Sequence, residues 1–288
     1  MPQKTYRDAI REALREEMLR DERVLIMGEE VGVWGGTYAV TRGFYGEFGD
    51  KRILDTPIAE EAIVGTAVGA AMGGLRPVAE LMTINFSLVA MDQIVNNAAK
   101  IHAMFGSQAR VPLVIRTPAG WGQLAATHSQ SFEAWFAHLP GLIVVMPSTP
   151  HDAKGLLKTA IRSDNPVMFI EHARLYGVKG EVPDEEYTLP IGVSDIKRPG
   201  RDVTIVSYSR MLHVALGAAS ELAKSGIECE VIDLRTLRPL DMAPVYESVE
   251  KTHRALIVEE DWTTCGMGAE IAARISHDRF VQDRKSVV

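Results

Sequence analysis

Cysteine is nearly absent. Cys229 and Cys265 are the only two in 288 residues, too few for a disulfide framework or a zinc site. Both read as core or near-core thiols in a reducing compartment. No apolar run reaches the ~18 residues of a membrane span. The N-terminal stretch MPQKTYRDAIREALREEMLRDERV lacks the apolar centre of a signal peptide and is too acidic for a transit peptide. An excess of basic residues is missing too: 31 Lys+Arg against 38 Asp+Glu give a net charge of -7, which offers no face for nucleic acid. A cytoplasmic protein with neither nucleic acid nor membrane among its partners is expected, although a processed organellar protein would read the same. Several catalytic signatures are lacking as well. No G-x-G-x-x-G follows an early strand, and there is no G-x-x-x-x-G-K-[ST], G-x-S-x-G, H-E-x-x-H or C-x-x-C, which removes the usual dinucleotide, P-loop, nucleophile-elbow and zinc readings.

What is present alternates. TYRDAIREALREEMLRD has apolar residues near a 3.6 period, with Thr5 and Asp8 placed as a cap. VLIMG, RILD, RPVAELM, VPLVIRTP, LIVVMPS and PVMFIEH read as strands. Between them lie helices from Glu60 to Met72 (stopped by Gly73-Gly74), over SLVAMDQIVNNAAKIHAMFG, from near His128, and over PHDAKGLLKTAIRSD. Apolar strands alternating with helices predict a parallel sheet covered on both faces. Residues 176–200 have linker composition, rich in charge, Pro and Gly. From 201 a smaller α/β unit follows: strand DVTIVSYS, helix MLHVALGAASELAKSG, strand CEVIDLRT, a helix near 241–251, strand ALIVEED and helix MGAEIAARISHD. The final residues, RFVQDRKSVV, end on a new strand. The expected organisation is thus a domain over 1–175, a linker over 176–200 and a second domain over 201–288.

Three positions stand out for chemistry. Glu60 opens a helix where strand RILD has ended, the carboxyl edge at which open α/β sheets bind ligands. It is equally explained as a first-turn acid favoured by the helix dipole, a role its neighbour Glu61 also fits. His128 follows a Gly-rich loop and suits acid/base work near neutral pH, or capping and packing. Phe86, in TINFS, is explained by core packing alone.

The stretches MGEEVG, GDKRILDTPIAEEAIVGTAVGAAMGGLRPVAELM, NFSLVAMDQIVNNAAK, HSQSFEAWFAHLPGLIVVMPSTPHDAKGLLKTAIRSDNPV, VIDLRTLRPLD and GAEIAARI resemble the beta subunits of the first component of 2-oxo acid dehydrogenases, with the pyruvate type the best match. The resemblance runs over nearly the whole chain. It implies a transketolase-like α/β fold, with a parallel-sheet pyrimidine-binding domain of the thiamine-diphosphate-binding type followed by a smaller α/β transketolase C-terminal domain. It implies thiamine diphosphate as cofactor and an α2β2 heterotetramer with an alpha subunit. By the same resemblance Glu60 is the acid that hydrogen-bonds the aminopyrimidine and activates the cofactor, Phe86 packs on the pyrimidine, Glu29 is a second acid near it, and His128 is an active-site histidine. A structural potassium site is implied at the main-chain carbonyls of Leu113, Ala160, Ile161, Ser163 and Asn165, with Ser163 standing where an acid is common.

The Gly-Asp-Gly that precedes the metal ligands of the diphosphate does not occur in this sequence. The resemblance therefore assigns magnesium to the alpha subunit and places the site between chains. Family members also continue past GAEIAARI with a final strand and helix, so the C-terminal domain reads as truncated, which bears on docking to the dihydrolipoyl acyltransferase core. The expected activity is decarboxylation of a small 2-oxo acid, pyruvate first, with acyl transfer to a lipoyl group. The alternatives are a branched-chain 2-oxo acid or acetoin dehydrogenase subunit, a non-catalytic bracing subunit, and a self-contained thiamine synthase, which the missing motif disfavours.

Overall fold

Short apolar runs bounded by Gly, Pro and charged residues become fully buried strands when helices cover both faces of a sheet. In the computed structural model, which describes residues 1–120, 124–279 and 286–287, they do so in a seven-stranded sheet. Its central strands Val24–Gly28, Arg76–Glu80, Val114–Ala119, Val167–His172 and Ile143–Val145 are parallel, with Ile53–Asp55 at one edge. The other edge is closed by Thr236–Arg238, an antiparallel strand contributed from beyond the first domain. A second sheet carries Val203–Ser207, Cys229–Asp233 and Ala255–Val258 in parallel, with Ser286–Val287 beside the last of these.

Local signals account for the helices that frame the first sheet. Tyr6–Arg20 starts where Thr5 accepts the Asp8 N–H at 3.1 Å. Pro150–Arg162 has Thr149 in the same role and Pro at its first turn. These two helices pack on each other through Ile10, Leu14, Leu156, Leu157 and Ile161, against Val114 and Phe169 of the sheet. On the opposite face Glu60–Met72 buries Ile63, Val64, Ala67 and Val68 over Leu25, Met27 and Ala79. That core continues through Met146 and Leu237 into Val206, Ile232 and Ile271 of the second domain. Among the described residues no helix is long and apolar enough to cross a membrane.

Several expectations are corrected. The segment 176–200 is not plain linker: Lys179–Glu181 pairs with Gln3–Thr5, and Asp195–Arg198 joins the second sheet antiparallel to Cys229–Asp233. The single long helix expected after residue 86 is broken into a 3-10 turn at Ile84–Leu88, a π segment at Gln93–Ala98 and a short α-helix at Ile101–Met104. Asn96 and Asn97 bond back to Asp92 and Gln93 at 2.7 and 3.0 Å, and the Ala99 N–H reaches the Ile94 carbonyl. These side-chain amides accompany the i→i+5 pattern that apolar periodicity cannot reveal. Cys229 is buried as expected, but Cys265 is exposed. Of the loop AGWGQLAA, residues 121–123 lie outside the described residues, as do 280–285 and 288.

The turn before Ile143–Val145 depends on Gly141. Its φ is +94°, and a Cβ there would lie 2.0 Å from the Ala99 carbonyl oxygen. Gly141→Ala is expected to cost at least ~2 kcal/mol through strain and overlap together, read as a lower urea midpoint with an unchanged slope.

Candidate active site

The parallel strands Val24–Gly28 and Ile53–Asp55 are neighbours, so the residues that follow them emerge side by side at the carboxyl edge. Glu29 follows the first strand directly. Glu60 follows the second after the turn at Pro57 and opens the helix. Both are buried, at 6% and 5% exposure, whereas Glu61 is exposed. The neighbour that faces solvent is the ordinary first-turn acid, and Glu60 is the unusual one. Burial first, then the Glu60 charge and a hydrogen bond to Glu60, push the Glu29 carboxyl above the usual range. Glu29 Oε1 has no partner among the described residues, so this buried pair has capacity for one more polar ligand. The helix behind Glu60 has no side-chain cap.

The loop after Glu29 is held by Asp55, whose carboxylate accepts the Gly32 N–H at 2.6 Å. Phe86 is half-buried on the Ile84–Leu88 turn and meets the half-buried His128 ring edge to face, with centroids 5.2 Å apart. His128 Nδ1 is engaged by Thr127 Oγ1 at 3.0 Å. Asn85 accepts from the Gln130 backbone and side chain at 3.3 and 3.1 Å. Asp55 and Asn85 escaped the sequence reading. Their signals were their places, Asp55 ending RILD and Asn85 preceding Phe86, but their partners are remote in sequence.

A cavity of about 700 Å³ lies elsewhere, at the junction with the second domain, lined by Ala137, Leu142, Leu237, Arg238, Cys265 and Arg274 among others. None of Glu29, Glu60, Phe86 or His128 lines it. Exposed apolar residues lie close to the acids and to Phe86 along the chain: Trp34, 72% exposed, and Val33 after Glu29, Ile58, 81% exposed, before Glu60, and Leu88 and Val89 after Phe86.

The main-chain carbonyls that the resemblance implies for potassium have partners within the chain. The Ile161 and Ser163 carbonyls accept Arg76 Nη1 at 3.0 and 2.9 Å. The Leu113 and Ala160 carbonyls accept the N–H groups of Val167 and Ser163, and the Asn165 carbonyl accepts Ser163 Oγ. Arg76 thereby brings a positive charge to the C-terminal end of that helix. Among the described residues no group of three or more His, Cys, Asp or Glu could hold a metal ion.

The domains meet through buried polar contacts. Tyr208 OH donates to Glu259 Oε2 at 3.0 Å and reaches Glu133 Oε1 at 3.4 Å. Burial, then the charge of Asp261, pushes Glu133 up to about 8. A carboxyl with a raised folded value favours folding below its unfolded value and loses that contribution as pH rises through the folded one. The loss therefore accumulates between the unfolded value of about 4.3 and about 8. Glu133→Gln removes it. Urea melts are expected to match wild type near pH 4 and to show the variant more stable by a few kcal/mol, on the order of 3, at pH 9.

Comparison with known proteins agrees with this architecture. Residues 2–179 match the family described as transketolase, pyrimidine binding domain, and residues 192–288 match transketolase, C-terminal domain. A solved structure titled split gene transketolase, inactive beta4 tetramer, superposes with a TM-score of 0.81 over 98% of this chain and 87% of that one, at 24% identity, a likeness of fold. The class is therefore transketolase-like. Within it, the chain is 51% identical over 282 residues to the mitochondrial pyruvate dehydrogenase E1 component subunit beta of Drosophila melanogaster, covering 96% of this chain and 77% of that protein. It is 50% identical to the corresponding subunit of Rickettsia felis, covering 96% and 85%. It is also 50% identical to the acetoin:2,6-dichlorophenolindophenol oxidoreductase subunit beta of Cupriavidus necator, covering 94% and 83%. The chain belongs to the family of pyruvate dehydrogenase first-component beta subunits.

Proposed function

We propose that this chain, together with an alpha subunit, forms a thiamine-diphosphate-dependent dehydrogenase that decarboxylates pyruvate and passes the acetyl group to a lipoyl group of an acyltransferase core. The observation that carries this reading is the buried pair of Glu29 and Glu60, with an unpartnered oxygen, at the carboxyl edge of a transketolase-type sheet. The pair fits an aminopyrimidine, which presents a ring nitrogen and an exocyclic amine to carboxyls. Phe86 supplies the apolar wall beside it. When bound, thiamine diphosphate supplies the carbon nucleophile and the electron sink that decarboxylation of a 2-oxo acid needs.

The chain's own residues have three tasks. Glu60 holds a proton against the pyrimidine ring nitrogen, from a site where little water competes for it. Glu29, which keeps its proton to higher pH than an ordinary glutamate, donates to Glu60 and fixes its orientation. His128, with Nδ1 engaged by Thr127, exchanges a proton through Nε2 with the substrate-derived group. The exposed Trp34 and Ile58 are the contacts through which the alpha subunit, bringing magnesium and the diphosphate site, covers the acids.

The experiment is co-expression with the alpha subunit, purification of the complex and decarboxylation assays on pyruvate and 3-methyl-2-oxobutanoate, alongside acetoin cleavage. Pyruvate is expected to give the highest kcat/KM, and the isolated beta chain to give no turnover. The acetoin-acting relative supports acetoin as the second reading. A preference for acetoin or the branched substrate would overturn the pyruvate assignment. Activity of the isolated chain would overturn the shared site.

A further inference from the structure

We propose that Asn85 is a positioning residue for the reaction, fixing where His128 lies relative to Phe86. The inference rests on the functional reading above and deepens it. Asn85 is 6% exposed, and its amide is used in two directions. Nδ2 donates to Thr83 Oγ1 at 2.7 Å, within the turn that carries Phe86. Oδ1 accepts from the Gln130 backbone N–H at 3.3 Å and from Gln130 Nε2 at 3.1 Å. The Gln130 carbonyl in turn accepts the Gly120 N–H at 3.2 Å, which closes the loop containing His128. One side chain thus ties the Phe86 turn to the closing residue of the His128 loop.

Among the described residues, the contacts of His128 itself do not do this. Its Nδ1 bond to Thr127 lies within the loop, so it orients the ring without fixing where the loop sits. The contact with Phe86 is a single edge-to-face pair at 5.2 Å and 89°, between two half-buried rings. An amide is the side-chain group that donates to a hydroxyl and accepts from two N–H groups while staying neutral. An aspartate there would bury a charge, and an alkyl side chain would leave the Gln130 N–H groups unmatched. Small displacements of a proton-transferring group are costly because the transfer needs hydrogen-bond reach.

The test uses Asn85→Ala and Gln130→Ala in the complex with the alpha subunit. One readout does not depend on turnover: the rate at which diethyl pyrocarbonate acylates His128, followed by peptide mass mapping at one fixed pH. Asn85→Ala is expected to raise the His128 rate roughly tenfold, because the released loop exposes the half-buried ring. In assays kcat falls about 10- to 100-fold, with KM for the 2-oxo acid changed less than about threefold. Gln130→Ala keeps the backbone bond and gives a smaller effect of the same kind. The double variant is no worse than Asn85→Ala, because the two share one contact. If Asn85→Ala does not fold, Gln130→Ala decides by the same readouts. An unchanged His128 acylation rate in a folded variant would overturn the proposal, even if kcat and thermal stability fell together. Should the wild-type complex decarboxylate no 2-oxo acid, the functional reading fails, and the acylation comparison still decides the role of Asn85.

Discussion

Replacing Glu60 by Gln is expected to lower decarboxylation by the assembled complex about 10²- to 10⁴-fold, the usual scale for removing an acid/base group. Gln preserves volume and can still hydrogen-bond, but it cannot give or take the proton that the pyrimidine nitrogen requires. The stability of the variant separates this reading from the ordinary one. As a mere first-turn acid, Glu60 would contribute ~0.3–1 kcal/mol through the helix dipole, so its loss would destabilise the chain and leave turnover intact. The structure predicts the opposite sign. Glu29 is held up by burial and then by the charge of Glu60 and the bond to it. Removing the Glu60 charge lets Glu29 fall back toward its ordinary value. The folded state then loses less stability as pH rises above the range where unfolded glutamates ionise. Urea melts of the isolated chain should therefore show Glu60→Gln as stable as wild type near pH 4 and more stable at pH 8. A variant that is less stable at pH 8 and fully active in the complex would reduce Glu60 to a cap.

What the sequence made legible was local. Pro57, the two acids and Gly73-Gly74 mark the ends of the Glu60–Met72 helix, and those ends are where the structure has them. Thr5 and Asp8 announce the first cap in the same way. The burial of Glu60 beside Glu29 could be inferred only through the family resemblance, because pairing depends on which strands become neighbours. What stayed hidden is set by distant partners. Asn85 was a polar residue in a turn until Gln130, 45 residues on, was placed against it. The run after Phe86 has a plausible helical period, and only hydrogen-bond geometry shows its break into 3-10 and π turns. Thr236–Arg238 looks like the end of a second-domain strand, yet it pairs with Ile143–Val145 and closes the first sheet. That swap is invisible to any window of sequence, and it makes the two domains one folding problem.

The charges in the strands were legible as anomalies that the sequence reading passed over. AELM, VIRTP and FIEH each carry an ionisable residue in a run that is otherwise buried. In the sheet, Glu80 and Arg116 are register partners, and Glu171 lies on the next strand. Arg116, 2% exposed, donates Nη1 to Glu80, Nε to Glu171 Oε1, and Nη2 to Glu171 Oε2 at 3.1 Å. Tyr176 OH adds a bond to Glu171 at 2.5 Å. Burial pulls the guanidinium value down, but Glu171 and Glu80 outweigh that and raise it. Burial raises Glu171, opposed by Arg116. Removing one member of such a buried set leaves charge without compensation, so Arg116→Met is expected to cost about 3–5 kcal/mol at neutral pH. The pH dependence identifies the cause. Without the guanidinium the burial that raises Glu171 loses its main opposition, so that carboxyl keeps its proton to higher pH in the folded state, and the deficit should shrink toward pH 5 and grow toward pH 8. Adding Glu80→Gln and Glu171→Gln to Arg116→Met should recover much of the loss, because a neutral set has no stranded charge. The damage should also reach the acids at the sheet edge. Glu80 Oε1 lies 2.8 Å from where a Cβ on Gly36 would be, so the loop that follows Glu29 rests on the carboxylate that Arg116 holds. Urea melts at the two pH values measure the first effect, and kcat of the assembled complex measures the second. A deficit independent of pH would mean that Arg116 matters for its volume, not its charge.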